Sequence, residues 1–164
     1  MQFKNILLVV SDIEKSKVFY RELFGLEVIA DFGGNVMLTE RVVLQERKNW
    51  EAALGCLVQY GGHDAELYFE ESCMDEFLQK LKKWEPGVSP VNYVSTVQSA
   101  LQMEERDWGQ RVIRIYDPDY HVIEIAETTE GVVRRLKAEG LSLQEIAEKV
   151  RLPLDMIEEE KDAH

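Results

Sequence analysis

The order of predicted elements repeats once along the chain, and this repeat constrains the fold more than any other feature. The first copy, in residues 1–60, predicts a strand at residues 3–10, a helix from Ile13 that ends at Gly25, and three short strands. The second copy, in residues 64–127, predicts the strand AELYFEE, the helix MDEFLQKLKKW and the strands VNYVST, QRVIRIY and HVIEIAE. One copy alone cannot bury a face of its sheet. We therefore predict an α+β fold of two βαβββ modules, with curved mixed sheets around a cleft.

Residues 111–127, RVIRIYDPDYHVIEIAE, predict a β-hairpin with two chemically different faces. Its Asp-Pro-Asp run is typical of a turn, and the common five-residue form of this turn places left-handed backbone at Tyr120. This register pairs Arg114 with Glu124 and puts the isoleucines on the opposite face. Because a buried face specifies register strongly, we expect Glu124 to point into a half-polar concavity or into solvent.

Composition limits the classes of partner. A length of 164 residues and a hydrophobic content of 45% are sufficient for an ordinary globular core. A net charge of −12 opposes binding to nucleic acid and to anionic membranes, and the apolar run ILLVV is too short for a membrane span or a signal-peptide core. Cys56 and Cys73 lack metal-site spacing and indicate free thiols. We expect a cytoplasmic protein with no nucleic-acid or membrane partner.

Residues 128–164 follow the repeat and predict a helical tail. Ser142 is a cap for the apolar-periodic segment after it, and LDMIEEEK predicts a further helix. The arrangement resembles a helix-turn-helix, but the second helix is acidic and would repel phosphates. We therefore expect a domain at residues 1–127 and a tail that packs on it or across a dimer.

Three segments together resemble the vicinal oxygen chelate superfamily, which includes glyoxalase I, fosfomycin and bleomycin resistance proteins and extradiol dioxygenases. They are VVSDIEKSKVFYRELFGLEV, AELYFEESCMDEFLQKLK and WGQRVIRIYDPDYHVIEI. The resemblance covers about residues 3–127. It implies a small-molecule ligand or substrate and a homodimer, often with clefts built from modules of both chains.

The resemblance also implies a metal site. Metal-dependent members take ligands from the first and last strands of their modules, and the matching positions here are Asn5, Glu66 and Glu124. An all-oxygen set of this kind favours manganese or magnesium over zinc or nickel. In a lyase or isomerase, the metal would hold vicinal oxygens of the substrate, and Glu124 would be a catalytic carboxylate. The missing histidine ligands argue against glyoxalase I and dioxygenase activity.

The alternative is that Glu124 forms an ordinary ion pair with Arg114 and that no metal binds, as in a small-molecule binding or sequestering protein of bleomycin-resistance type. The sequence leaves enzyme and binding module both open. In either case, aromatic and basic side chains would line the cleft. The predicted substrate-binding side chains are Tyr93, Trp108, Arg114 and Tyr116. Among the histidines, we expect an exposed ring at His121, and no histidine has a partner at triad spacing.

Overall fold

The chain folds into two compact units, each built around one four-stranded sheet. The computed structural model describes residues 1–84 and 103–159. Of these, residues 1–66 and Tyr116–Val122 form the first unit, and residues 67–84, 103–115 and 123–159 form the second. The predicted α+β fold of two modules with C-terminal helices is confirmed.

The first sheet is mixed. Its strands are β1 (Ile6–Val10), β2 (Val28–Asp31), β3 (Asn35–Leu38) and β4 (Val42–Glu46). They lie in the order β1-β4-β3-β2, with β1 parallel to β4 and the other pairs antiparallel. Because side chains alternate along a strand, Leu8, Val10 and Leu44 share one face, and all three are buried.

Helix α1 (Ile13–Phe24) packs against β4 and buries Phe19 and Tyr20. The side chain of Asp12 accepts a hydrogen bond from the backbone N–H of Lys15 at 3.0 Å, and Gly25 ends the helix with left-handed backbone at φ 68°. Both bounds agree with the prediction. Helix α2 (Arg47–Leu54) follows β4 directly, and the repeat does not predict it.

The second sheet has the strand order of the first. Its strands are β5 (Glu66–Glu71), β6 (Glu104–Glu105), β7 (Arg111–Tyr116) and β8 (Val122–Glu127), and they lie in the order β5-β8-β7-β6. Helix α3 (Met74–Lys83) follows β5 as α1 follows β1. The predicted strand VNYVST lies outside the described residues, and β6 pairs with β7.

The turn between β7 and β8 has the predicted bulged form. Tyr120 has φ 67°, its N–H donates to the carbonyl of Asp117 at 3.1 Å, and the Asp117 N–H donates to the carbonyl of His121 at 3.1 Å. The four isoleucines of the hairpin are at most 2% exposed. The predicted register is confirmed.

The tail forms α4 (Thr129–Ala138), α5 (Leu143–Val150) and α6 (Leu154–Glu159). Ser142 and Glu145 form a reciprocal capping box at the start of α5. The helices enclose an apolar core of Val132, Val133, Leu136, Ile146 and Ile157. Within the described ranges, no helix combines the length and apolar composition needed to cross a bilayer.

Candidate functional site

The polar face of the second sheet carries a cluster of one buried carboxylate and two arginines. Glu124 lies on β8, and Arg114 lies on the neighbouring strand β7. Guanidinium groups of Arg114 and Arg106 both approach Oε2 of Glu124, the second at 3.6 Å. We call these three side chains the arginine–glutamate cluster. Glu124 is 7% exposed, so of the two environments expected for it, a half-polar concavity or solvent, burial excludes solvent.

The cluster has two positive charges and one negative charge, and the negative charge is the buried one. The side chains of Arg106 and Arg114 are 35% and 42% exposed, whereas that of Glu124 is 9% exposed. Glu104 also approaches Arg114, at 3.9 Å, but its side chain is 62% exposed, so solvent screens this contact. The two guanidinium groups are therefore partly exposed to solvent, whereas the carboxylate that pairs with them is buried.

Arg106 comes from the tight turn between β6 and β7. Its N–H donates to the carbonyl of Gln110 at 2.8 Å, and the N–H of Gly109 donates to its carbonyl at 2.8 Å. Its guanidinium carbon lies 5.8 Å from the ring centroid of Trp108, within the range of a cation–π contact. Its Nε is buried and has no hydrogen-bond partner among the described residues. Arg106 thus has hydrogen-bonding capacity that the described chain does not use.

Tyr68 on β5 adds a hydroxyl to the polar face. Its OH donates to Glu70 at 3.1 Å, and the ring is 52% exposed. Burial, the hydrogen bond to Glu70 and, more weakly, the charge of Glu124 raise the pKa of Tyr68. The hydroxyl therefore stays protonated at neutral pH, and because its proton is donated to Glu70, its oxygen can accept a hydrogen bond from a ligand.

The remaining predicted site residues are distributed over both units. Trp108 lies in the second unit, is 37% exposed, and its Nε1 donates to Gln110 at 3.3 Å. Tyr116 ends β7, and its hydroxyl lies 2.7 Å from Nε2 of His63 within the first unit. Tyr93 lies outside the described residues. Asn5 and Glu66 belong to the first unit and Glu124 to the second, so the metal trio stays a prediction.

The groups around the carboxylate of Glu124 show whether it could bind a metal ion. A metal ligand needs a free lone pair, and Oε2 of Glu124 already faces two guanidinium groups. In the described part of the chain, no three His, Cys, Asp or Glu side chains are grouped as an ion would require. The residues around Glu124 do not fit a preformed cation site. Arginine contacts would have to break before Oε2 could coordinate an ion.

A second charged cluster lies on the isoleucine face of the same sheet. Arg111 donates to Asp75 at 2.8 Å and to Glu127 at 2.9 Å, and Arg135 of α4 donates to Glu127 at 3.1 Å. Burial alone would raise the pKa of Glu127, which is 1% exposed, but the hydrogen bonds from Arg111 and Arg135 outweigh it and lower the pKa. This cluster is charge-paired on all sides and fixes α3 and α4 to the sheet.

The turn of the β7–β8 hairpin contains a third polar network, all within the first unit. The buried carboxylate of Asp117 accepts from Tyr20 Oη at 2.8 Å and lies 2.8 Å from Nδ1 of His121. The side chain of His121 is only 25% exposed, so the expectation of an exposed ring is wrong. Burial lowers the pKa of His121, but Asp117 and Asp119 raise it by more, and the net pKa is above 6.5. This network anchors the turn to α1.

Comparison with known proteins places this geometry in a family. The family model described as the glyoxalase-like domain matches residues 3–130. Among curated proteins, none matches the chain. A solved structure of a protein of unknown function from Agrobacterium tumefaciens is similar, with 33% identity over 78% of this chain and 94% of that one, at a TM-score of 0.59.

Two more distant structures share the fold. Lactoylglutathione lyase from Agrobacterium tumefaciens is 19% identical over 86% of this chain and 98% of its own, with a TM-score of 0.54. The fosfomycin resistance protein FosX from Listeria monocytogenes is 17% identical over 78% of this chain and 93% of its own, with a TM-score of 0.52. Both match the two-module architecture described above.

Proposed function

The chain belongs to the glyoxalase-like family of the vicinal oxygen chelate superfamily, and we propose that it binds a small molecule carrying an acidic group without a resident metal ion. The observation that carries this proposal is that Arg106 and Arg114 share one carboxylate oxygen of Glu124. A carboxylate that faces two guanidinium groups retains little affinity for a cation. A guanidinium group donates several hydrogen bonds to a carboxylate, phosphate or phosphonate, and the buried Nε of Arg106 has no partner among the described residues.

Each side chain of the site has a role in this proposal. Arg106 and Arg114 contact the acidic group of the ligand, since a guanidinium presents a planar set of donors that suits a carboxylate or phosphonate. Glu124 is the buried counterion that both arginines share. Trp108, 37% exposed beside Arg106, offers an aromatic surface to the body of the ligand.

Calorimetric titration of the metal-stripped protein tests the proposal. The probes are phenylphosphonate and benzoate, with neutral benzamide and cationic benzamidine as controls. We expect the two anions to bind and the controls not to bind. Arg106→Gln and Arg114→Gln should each weaken phenylphosphonate binding by roughly 10-fold or more, because each removes a charged hydrogen bond.

Arg21→Gln is the matched control, because Arg21 is an exposed arginine of α1 that pairs with Glu22. It should bind phenylphosphonate as the wild type does. Equal binding of benzamide and phenylphosphonate to the wild type would contradict the proposal. Unchanged binding in both cluster variants would contradict it as well.

A metal-dependent lyase or isomerase acting on vicinal oxygens is the second candidate. It is supported by the position of Glu124 on β8, the strand that supplies the closing carboxylate in metal-dependent relatives. Titration of metal-stripped protein with Mn²⁺, Mg²⁺, Ni²⁺ and Zn²⁺ separates the two candidates. Ion binding to the wild type that is lost in Glu124→Gln, Asn5→Ala and Glu66→Gln would favour the lyase.

We also propose that the protein works as a homodimer in the cytoplasm. Both cysteines are free and exposed, which suits a reducing compartment. Light scattering of the full chain, across a tenfold range of concentration, tests the assembly. A mass of one chain at every concentration would contradict the dimer.

A further inference from the structure

The C-terminal helices contact the turn that carries Arg106, and these contacts come from residues beyond the matched family domain at 3–130. The guanidinium of Arg135 donates to the backbone carbonyl of Gly109, the last residue of the turn before Gln110. The same guanidinium donates to Glu127 and to Glu139 at 3.1 and 3.0 Å. The side chain of Arg135 is only 14% exposed, so α4 holds it in one position.

Gly109 is packed directly against the tail. A β-carbon added at Gly109 would lie 3.1 Å from Cε of Lys149, 3.5 Å from Cγ1 of Val132 and 3.6 Å from Cδ1 of Leu136. The backbone of Gly109 has φ 84°, a conformation that favours glycine. Two helices of the tail, α4 and α5, therefore close around one residue of the turn.

Lys149 of α5 adds a contact on the strand side of the turn. Its Nζ lies 3.0 Å from Glu105, which is the last residue of β6 and directly precedes Arg106. Among the described residues, strand β6 forms two pairs in the sheet, Glu104 with Val112 and Glu105 with Arg111. Such a short strand at the edge of a sheet constrains the turn weakly. The contacts of Arg135 with Gly109 and of Lys149 with Glu105 add constraints on the turn that this strand does not provide.

Arg106 belongs to both the turn and the arginine–glutamate cluster. Its backbone makes two hydrogen bonds that close the turn, while its guanidinium lies 3.6 Å from Glu124. Trp108 in the same turn lines a cavity of about 120 Å³ with the α4 residue Val132 and the α5 residue Val150. A displacement of the tail would therefore change the environments of both Arg106 and Trp108.

We infer that Arg135 and Lys149 are positioning residues, through which the C-terminal helices hold Arg106 in place for an acidic ligand. The inference rests on the proposed function for the ligand itself. Quenching of Trp108 reports on the contact between tail and turn without any ligand. The inference and the proposed function can therefore fail separately. In this inference Arg135 and Lys149 do not contact the ligand themselves.

The experiment compares Arg135→Gln, Arg135→Lys and Lys149→Met in a background of Trp50→Phe and Trp84→Phe, where Trp108 is the remaining fluorophore. Acrylamide quenching of Trp108 should increase in Arg135→Gln and Lys149→Met, and Arg135→Lys should recover part of the wild-type value. Phenylphosphonate affinity should fall by roughly 2- to 30-fold in Arg135→Gln and Lys149→Met, the range expected for indirect coupling. Arg135→Lys should recover part of this loss. Lys137→Met, the same change at another tail lysine, should leave both readouts unchanged.

A double-mutant cycle separates positioning from a general loss of stability. If Arg135 acts through Arg106, adding Arg135→Gln to Arg106→Gln should weaken phenylphosphonate binding no further. Should Arg135→Gln fail to fold, Lys149→Met carries the test, because the Lys149–Glu105 pair is exposed on both sides. Wild-type quenching of Trp108 in folded Lys149→Met and Arg135→Gln would overturn the inference. Failure of phenylphosphonate to bind the wild type, with increased quenching in the variants, would overturn the proposed function alone.

Discussion

Arg114 and Glu124 face each other across the β7–β8 hairpin, and the guanidinium of the arginine donates to the buried carboxylate. The hairpin register produces this pair, and the turn residue Arg106 adds a second guanidinium to the same oxygen. A cross-strand ion pair alone stabilises a sheet by only about 0.2–1 kcal/mol. The pair therefore adds little to the stability of the sheet. Its main effect is that Glu124 holds two cationic groups, Arg114 and Arg106, in a fixed arrangement.

Glu124→Gln distinguishes the two candidate functions by the direction of its effect. If Glu124 is the counterion of two anion-binding arginines, its removal takes away a negative charge near the ligand, and phenylphosphonate should bind more tightly by calorimetry. If Glu124 holds an ion that the ligand needs, binding should be lost. The amide of glutamine can still accept from Arg114, so we expect the variant to fold.

Glu127→Gln should destabilise the protein strongly. Glu127 is 1% exposed and accepts from Arg111 and Arg135, whose side chains are 9% and 14% exposed. Removing one partner of a buried ion pair costs about 3–5 kcal/mol. Arg111 and Arg135 would be left with Asp75 and Glu139, whose side chains are 78% and 50% exposed and compensate the buried charges less. The measurement is the free energy of unfolding in urea. Glu130→Gln, at an exposed position of α4, is the matched control and should change it little.

The same cluster predicts an acid-dependent loss of stability. The pKa values of Glu127 and Asp75 are lowered in the folded state, so their contribution is present above their ordinary values of 4.5 and 3.8 and is lost as the pH falls through the folded-state values. Unfolding in urea at a series of pH values below 5 should show this loss. Glu127→Gln should have a shallower slope, and an identical slope would contradict the assignment.

His121 predicts a pH dependence of the opposite sign. Its folded-state pKa is raised above 6.5 by Asp117 and Asp119 despite burial, so its contribution is fully present below pH 6.5 and is lost as the pH rises through the folded-state pKa. NMR titration of the imidazole measures that pKa directly. His121→Gln should remove this part of the slope of stability against pH, whereas the matched variant His63→Gln should retain it.

Gly109→Ala and Gly25→Ala form a matched pair that isolates the contact with the tail. Both glycines have positive φ, 84° and 68°, so each alanine should cost roughly 1–2 kcal/mol of backbone strain in the free energy of unfolding. A β-carbon at Gly25 meets open space, whereas one at Gly109 meets Lys149. Only Gly109→Ala should also weaken phenylphosphonate binding. Equal effects of both variants on binding would contradict a role for the turn.

The sequence predicted those features that depend on local pattern. The alternation of isoleucines with Arg114 and Glu124 established the hairpin register, and the Asp-Pro-Asp turn placed Tyr120 in left-handed backbone, where it lies at φ 67°. The repeated element order predicted two modules with one sheet each, and the structure has two four-stranded sheets of equivalent strand order. Each of these features follows from contacts between residues that are close in sequence or related by the repeat.

Features that depend on distant contacts were not predictable in this way. Arg106 follows a strand of only two residues, too short to show periodicity, although its place two residues before Trp108 in the WG loop is a signal that could have been used. The buried position of His121 depends on Tyr20 and Asp117 meeting across 97 residues of chain. The hairpin register places Arg111 opposite Glu127, but the second partner, Arg135, could not be assigned because it reaches Glu127 only when α4 folds back on the sheet.

The most direct test of the central claim is an NMR titration that observes the arginine Nε–H groups of metal-stripped protein while phenylphosphonate is added. We expect the resonances of Arg106 and Arg114 to shift in a saturable manner and those of Arg21 and Arg151 not to shift. The same shifts should occur in the presence of EDTA. Shifts that appear only after Mn²⁺ is added, or that leave Arg106 and Arg114 unaffected, would contradict metal-free recognition at this cluster.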